Sequence, residues 1–549
     1  MFAVYLRNQL FDGFRVEIIG FVVALVAMIG VMSRAGGVKG LVERLLGLVR
    51  TARTALFLTW GMGFLIFFDD YANCMLVGST MRPLTDRFRI SREKLAYIVD
   101  STAAPIAGIS LLSTWIAFEV SVFSAQLPEV GITESGYAMF LRALPFRYYC
   151  FLTLIFVVGT IASRRDFGPM ARAELRARRD GLLVGRGGRP AVSDRLAAMQ
   201  PAPQMIPDWR IAAAPVALTL LVTAARIFAD GGGLEILRRD PASVMTLTGM
   251  GNVVLAGSGA APILAGACAG LLLAIFLAGA TTVRVAIALG LASSLGVAAL
   301  GDPFAAALIP VVGEPLAGYL AFALVFSLLA GAAGSVASRW GRSSERPHLT
   351  LSELCRAGGG SAGTLGFAVV LLFEAWMIGE VCRDLSTADY LVALLFGWLP
   401  PELLPLLLFS VACAVSFATG SSWSTMSILL PNVVAMAASM GGETVLGSFG
   451  MVAISIGAIL DGSIFGDHCS PISDTTVLSS VASGSDHFDH VRTQAPYALV
   501  TASLAIGCGY LPATLISWWS FPLALGCAAA LIAGLLAVFG RVLPEAHSG

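Results

Sequence analysis

From Thr493 to Gly540 the chain runs 48 residues without an aspartate, glutamate, lysine or arginine, and from Thr444 to Leu460 it runs another 17. A helix crosses a bilayer with about 20 apolar residues, and charge in hydrocarbon is costly. Between these two runs lies Asp461-Gly-Ser-Ile-Phe-Gly-Asp467-His468-Cys-Ser470-Pro471-Ile-Ser473-Asp474-Thr475-Thr476, with three carboxylates and an imidazole in sixteen positions. Ionisable side chains in such a setting are functional candidates by default.

The pattern repeats along the whole chain. Only 13% of its 549 residues are charged, against roughly 25% in soluble proteins. An all-α polytopic membrane protein follows, with membrane lipid as its first partner. Net charge is zero, which gives no ground for a nucleic-acid partner. The nine cysteines are scattered, odd in number and without a C-x-x-C pair, so no disulfide framework is expected. The first apolar run, Ile18 to Met32, lacks a cleavage site and is followed by basic residues, which reads as an anchor. Candidate membrane segments are 14–33, 54–80, 95–118, 147–162, 210–228, 255–280, 284–300, 315–337, 361–381, 403–437, 445–480, 493–515 and 517–540.

Arginine and lysine in short loops set orientation. Loops 81–94, 163–209 and 338–356 are all arginine-rich and read as cytoplasmic. Loop 163–209, rich in Arg, Gly and Pro, reads as partly disordered. It divides an N-terminal membrane half (1–162) from a C-terminal one (210–549). Segment 54–80 has Arg50 and Arg53 before it and Arg82 and Arg87 after it, with Asp69-Asp70 in the middle. Two cytoplasmic ends predict a re-entrant hairpin with carboxylates at its tip, tolerated at membrane depth only beside protein or a water-filled cavity.

The 461–476 stretch has a weak echo in the first half. Met81-Arg-Pro83-Leu-Thr-Asp86 aligns with Cys469-Ser-Pro471-Ile-Ser-Asp474, and Thr102-Ala-Ala-Pro105 with Thr493-Gln-Ala-Pro496. The connecting residues are basic in the first copy and acidic in the second. That difference predicts an inverted repeat, with a second hairpin over 445–480 and broken helices meeting at the midplane. A third break is expected over 416–423, where Thr419, Gly420, Ser421 and Ser422 interrupt a charge-free run and allow a helix to unwind.

Hard cations such as sodium take oxygen ligands. Asp70, Asn73, Asp461, Ser463, Asp467 and Asp474 supply them as cation- and proton-binding candidates. Asp100, Thr102, Thr419, Ser421, Ser422, His468, Ser470, Ser473 and Thr475 are candidates for lining the same site. A carboxylate in a low-dielectric site gains proton affinity, so proton and cation compete for it, and that competition is the simplest mechanism of exchange. For Asp70, Asp461 and Asp467 no nearby basic residue in the sequence offers a structural explanation. Asp86 reads as an ion pair with neighbouring arginines. Asp486, His487, Asp489 and His490 read as a solvated loop. Glu119, Asp302 and Glu314 read as membrane-edge residues, Glu374 as a deeper one and Glu380 as interfacial. No resident metal or cofactor is expected, since Asp467-His468-Cys469 has no second spaced pair for zinc. An intramembrane hydrolase built on Asp69-Asp70 or Asp467-His468 is the alternative from another class.

Phe-Phe-Asp69-Asp70-Tyr71-Ala-Asn73, Met81-Arg-Pro-Leu-Thr-Asp86-Arg, Asp100-Ser-Thr-Ala-Ala-Pro105, Phe417-Ala-Thr-Gly-Ser-Ser-Trp423 and Phe465-Gly-Asp-His-Cys-Ser-Pro-Ile-Ser-Asp-Thr-Thr476 occur in this order. Together they resemble the NhaC family of sodium/proton antiporters, within the ion-transporter superfamily of inverted-repeat secondary carriers. The resemblance spans about residues 20 to 515. It implies a multi-pass carrier of the cytoplasmic (inner) membrane exchanging sodium for protons, with Gly466–His468 and Ser470–Thr476 lining the transport site. The family also includes organic-anion exchangers, so the alternative substrate is a small organic acid or amino acid coupled to sodium. Its members usually carry more sequence ahead of the segment matching 18–32, so the resemblance implies a chain short by one or more N-terminal helices. The helices outside the hairpins and the broken helix, including part of 255–337, would form a scaffold and a possible homodimer interface.

Overall fold

Apolar runs free of Gly-Ser or Pro clusters become single helices, and those with such clusters break where the clusters fall. The structure, a computed structural model, describes residues 13–189, 201–239, 246–279, 348–363 and 370–544, apart from 48, 258–259, 371–372, 375, 379–380, 383 and 396–397. Eight described helices are long and apolar enough to cross a membrane, and ten if two bent pairs each count as one span. The bent pairs are Arg92–Ile109 with Thr114–Gln126 and Gly136–Phe146 with Tyr148–Ser163, each kinked by 48°. The expected segments 284–300 and 315–337, most of loop 338–356, and Asp302, Glu314 and Glu380 lie outside the described residues.

The helices fall into two packing groups. In one, helix Gly13–Arg34 packs against Ala260–Ala278 and Leu351–Gly363, and Arg210–Asp230 against Ala260–Ala278. Glycines permit the close approach: a Cβ on Gly266 or Gly270 would stand 2.0 Å from the hydroxyl of Thr223 or Thr219. The other group is built on Gly447–Cys469, which packs against Leu404–Thr419, Ser422–Met440, Tyr148–Ser163 and His487–Leu504. Gly462 and Gly466 face Leu404–Thr419 so closely that a side chain would meet the Phe409 carbonyl or Ser416. The groups touch where Gly13–Arg34 meets Thr114–Phe123.

Two expectations are corrected. The Arg-rich connection is ordered from 164 to 189. Strand Arg165–Asp166 pairs antiparallel with Arg541–Val542, and helix Gly168–Asp180 follows. That helix is amphipathic. Met170, Ala171, Ala173 and Ala177 are buried, while Arg176 pairs with Glu93 at 2.7 Å and Arg178 with Glu174 at 3.0 Å. Composition suggested disorder because it could not show that alanines and arginines segregate to opposite faces. Second, 486–490 is no solvated loop. Asp486 caps helix His487–Leu504, and His490 is fully buried. Glu374 is exposed on the bundle, and Glu119 is fully buried within it.

The aligned repeat motifs differ in local structure. Pro83 lies inside helix Asp70–Arg87, whereas Pro471 lies in the break after Gly447–Cys469. Thr102 and Ala103 form a break, whereas Thr493–Pro496 lies within a continuous helix. Asp86 is half-buried and pairs with Arg92 at 3.1 Å. Pairs so placed contribute under about 1 kcal/mol. Asp86→Asn is therefore expected to leave transport intact and to lower stability by less than about that amount, as measured by thermal unfolding in detergent.

Candidate functional site

Four helix breaks build the site. The first separates Ala52–Leu65 from Asp70–Arg87 and puts the carboxylate pair at the interruption, as expected. Asp69 is its N-cap. It accepts from the Ala72 N–H at 2.8 Å and from the Thr114 hydroxyl at 3.1 Å. The Asn73 amide nitrogen donates to the carbonyls of Gly63, Ile66 and Thr102 at 2.9–3.1 Å. It thereby satisfies carbonyls freed at this break and at the second, Thr102–Ala103.

The third break falls at Gly420–Ser421, inside the expected 416–423. Gly420 has φ +67°, and a Cβ there would stand 2.7–2.9 Å from Ile472. Ile472 belongs to the fourth break, Ser470–Ser473, so the third and fourth breaks touch. Gly420→Val is expected to separate them, cutting transport at least tenfold through both the left-handed φ and the clash. Uptake in proteoliposomes compared with Gly534→Val, where a Cβ meets open space, checks this.

Helices starting at Asp70, Ser422 and Asp474 have N-caps at Asp69, Ser421 and Ser473, and their first turns carry the site's polar groups. The Asp474 carboxylate accepts from the Tyr71 hydroxyl and from the Thr475 N–H. Asp467 accepts from the Ser422 hydroxyl. Asp100 accepts from Gln494 Nε2 at 2.5 Å and Thr476 Oγ1 at 3.1 Å, with His490 Nε2 at 3.5 Å. The Thr476 hydroxyl also lies 2.8 Å from the Asp467 carbonyl. His468 faces the Tyr149 hydroxyl through Nδ1 at 2.9 Å and leaves Nε2 unpartnered. Asp467 lies within electrostatic reach of Asp474, Asp70 and Asp100.

Acceptors outnumber donors here. Asp70 is 1% exposed and neither of its oxygens has a hydrogen-bond partner, although the Trp115 indole lies beside it. Asn73 Oδ1, Asp100 Oδ1 and Asp467 Oδ1 are likewise buried without partners. Buried acceptors are normally satisfied, and an ionised carboxylate alone in a dry interior is strongly unfavourable. Asp474 and Tyr71 are half-buried and form the more accessible side. Among the described residues no three His, Cys, Asp or Glu side chains converge closely enough to hold a metal ion.

Asp461 stands apart. Contrary to the expectation that no basic residue explains it, Arg147 Nε lies 3.0 Å from its carboxylate. The Tyr149 N–H at 2.6 Å, the Tyr510 hydroxyl at 2.7 Å and Cys150 Sγ at 3.1 Å complete its shell. Arg147 also reaches Glu119 at 3.3 Å, and all three charged side chains are fully buried. Tyr510 comes from a π-helical segment, Ala505–Tyr510, a local widening that recurs at functional positions. Asp461 lies mid-helix and not at an unwound tip. Its partner is about 310 residues away in sequence, beyond the reach of any local pattern.

The other candidates divide. Ser463 spends its hydroxyl on the Ile459 carbonyl, and Thr102 spends its own on Ile98. Thr419 is exposed and bonds back to Val415. Ser421 and Ser473 are N-caps, Ser470 supports the Ile472 N–H, and Ser473 and Thr475 face each other at 3.1 Å. Tyr71, Gln494 and His490 are site residues that sequence reasoning missed. Tyr71 directly follows Asp70, and Gln494 lies within the Thr493-Gln-Ala-Pro496 motif; those positions were the available signal.

A polytopic helical bundle with breaks around a buried polar centre defines a multi-pass membrane transporter. Residues 348–511 match the Na+/H+ antiporter family. An uncharacterised Haemophilus influenzae protein is 27% identical over 90% of this chain and 78% of its own length. The Na+/H+ antiporter NhaC of Alkalihalophilus pseudofirmus is 35% identical over 26% of this chain and 31% of its own. The malate-2H+/Na+-lactate antiporter of Bacillus subtilis is 32% identical over 26% of this chain and 29% of its own. The resemblance to NhaC-type antiporters is borne out, and the chain is an antiporter-type transporter of the cell membrane and not an enzyme.

Proposed function

We propose that the protein exchanges sodium for protons, with Asp70 and Asp467 as the carrying carboxylates and Asp100 and Asp474 beside them. The supporting observation is the excess of buried acceptors. Asp70 Oδ1 and Oδ2, Asn73 Oδ1, Asp100 Oδ1 and Asp467 Oδ1 all lack donors. A proton on a carboxylate or a desolvated cation among these oxygens each relieves that deficit, and one excludes the other. Three helix N-termini around the site stabilise the carboxylates while it is empty. The group built on Gly447–Cys469 moves as the transporting body against the group containing Gly13–Arg34, with glycine-mediated contacts keeping each group rigid. Asp461, fully satisfied by four donors, holds the transporting body together.

Competition fixes a sign. As pH rises, protons leave the site and the apparent KM for sodium falls; a KM independent of pH across the active range would rule the mechanism out. The direct test is a sodium jump on proteoliposomes carrying a pH gradient and a pH-sensitive dye. Sodium alone should dissipate the gradient. Dissipation only when an organic acid is also present would replace this reading with a second one, a sodium-coupled exchanger of small carboxylates. The similarity to the malate/lactate antiporter over 150 residues and the three N-termini, which suit a substrate carboxylate, favour that second reading.

A further inference from the structure

A polar cavity lies away from the transport site, on the face that the arginine distribution assigns to the cytoplasm. It holds about 390 Å³ between the start of helix Ala52–Leu65, the end of Tyr148–Ser163 and the Arg165–Asp166 strand. Its charged lining is Arg50, Arg53, Lys94, Arg164, Arg178 and Asp166. The lone carboxylate is already engaged, by Lys94 Nζ and the Tyr497 hydroxyl, both at 2.7 Å. Arg178 is neutralised from behind by Glu174 at 3.0 Å. Among the described residues neither Arg50 nor Arg53 has an ion-pair partner, and both are exposed at the rim. Leu56, Phe88 and Ile161 make an apolar floor.

With Lys94 paired to Asp166 and Arg178 to Glu174, Arg50 and Arg53 stand as two surplus cations among the described residues around a cavity large enough for a small ligand. A surplus held in one concavity is an unfilled demand for negative charge. Basic pockets at the cytoplasmic ends of membrane helices suit lipid head groups, and the fork of an arginine matches phosphate geometry. We propose that this cavity binds a phosphate anion, carried either by an anionic phospholipid head group or by a soluble phosphate compound. Its wall is tied to the transport site through helix Arg92–Ser101, which presents Lys94 to the cavity and Asp100 to the carboxylate cluster.

Thermal unfolding of the detergent-solubilised full chain tests this in two arms. One titrates phosphatidylglycerol against phosphatidylcholine, and the other inorganic phosphate against chloride at equal ionic strength. A saturable stabilisation is expected in at least one arm. Response to phosphatidylglycerol alone assigns the lipid, and response to phosphate alone assigns a soluble ligand. Arg50→Gln/Arg53→Gln should move the titration midpoint at least tenfold. Arg172→Gln/Arg179→Gln, exposed arginines outside the cavity, should not move it. No response in either arm overturns the site, as does an unchanged midpoint in the first double variant or an equal loss in the second.

Discussion

Replacing Arg147 by methionine is expected to be the most damaging single change to stability. Arg147 is 0% exposed and lies between Glu119 and Asp461, both also 0% exposed. Removing the cation leaves two carboxylates in a low-dielectric interior. Breaking a buried pair in this way costs about 3–5 kcal/mol, and here one deletion strips two anions. A drop in melting temperature on the order of 4 °C follows at about 1 °C per kcal/mol for a chain of this length, together with poor expression. The interaction is cooperative, so the triple change Glu119→Gln, Arg147→Met, Asp461→Asn should recover a large part of the loss, because uncharged groups of similar shape no longer require solvation. Asp461→Asn alone should lower stability, since the amide cannot accept from all four donors. Melting curves of the single and triple variants decide the matter. If Arg147→Met melts with the wild type, the triad does not hold the bundle.

How much of this was legible in the sequence follows from the range of each interaction. The first and third breaks were, because Asp69-Asp70 inside an apolar run, and Gly420 with its flanking hydroxyls, are local signals; the Thr102–Ala103 break carries no such signal and was not expected. Asp70 and Asp467 stood out because a charge in lipid is conspicuous wherever it falls. Asp461 stood out for the same reason, and there the inference went astray: a paired and an unpaired carboxylate look alike until the fold brings Arg147 across 314 positions. The helix Gly168–Asp180 was hidden by its arginines, whose partners Glu93 and Glu174 lie partly in another segment. The motif Pro-aliphatic-hydroxyl-Asp occurs twice in the sequence, yet one copy is helical and the other is not. Four shared residues do not specify backbone; the flanking glycines and caps do.

Asp467→Asn and Asp70→Asn are expected to abolish exchange while the protein remains folded, the reverse of the Arg147 result. Each replaces a buried carboxylate that has at least one oxygen without a partner. The amide carries no charge to desolvate, so the empty variant should melt at or above the wild-type temperature. It also cannot trade a proton for a cation. Transport should fall at least a hundredfold in the sodium-jump assay. Ligand linkage supplies an independent reading: in wild type, sodium at a hundred times its dissociation constant should stabilise the folded state by about 2.7 kcal/mol, and in both variants that increment should vanish. Ser422→Ala is the graded case. It leaves the Asp467 carboxylate in place and removes its one bonded donor, so exchange should persist with the pH dependence of the sodium KM displaced. A variant at Asp467 that still exchanges at the wild-type rate would remove that carboxylate from the mechanism. Retained sodium stabilisation with lost transport would instead place Asp467 in the conformational step, leaving Asp70, Asn73 and Asp100 to bind the ion.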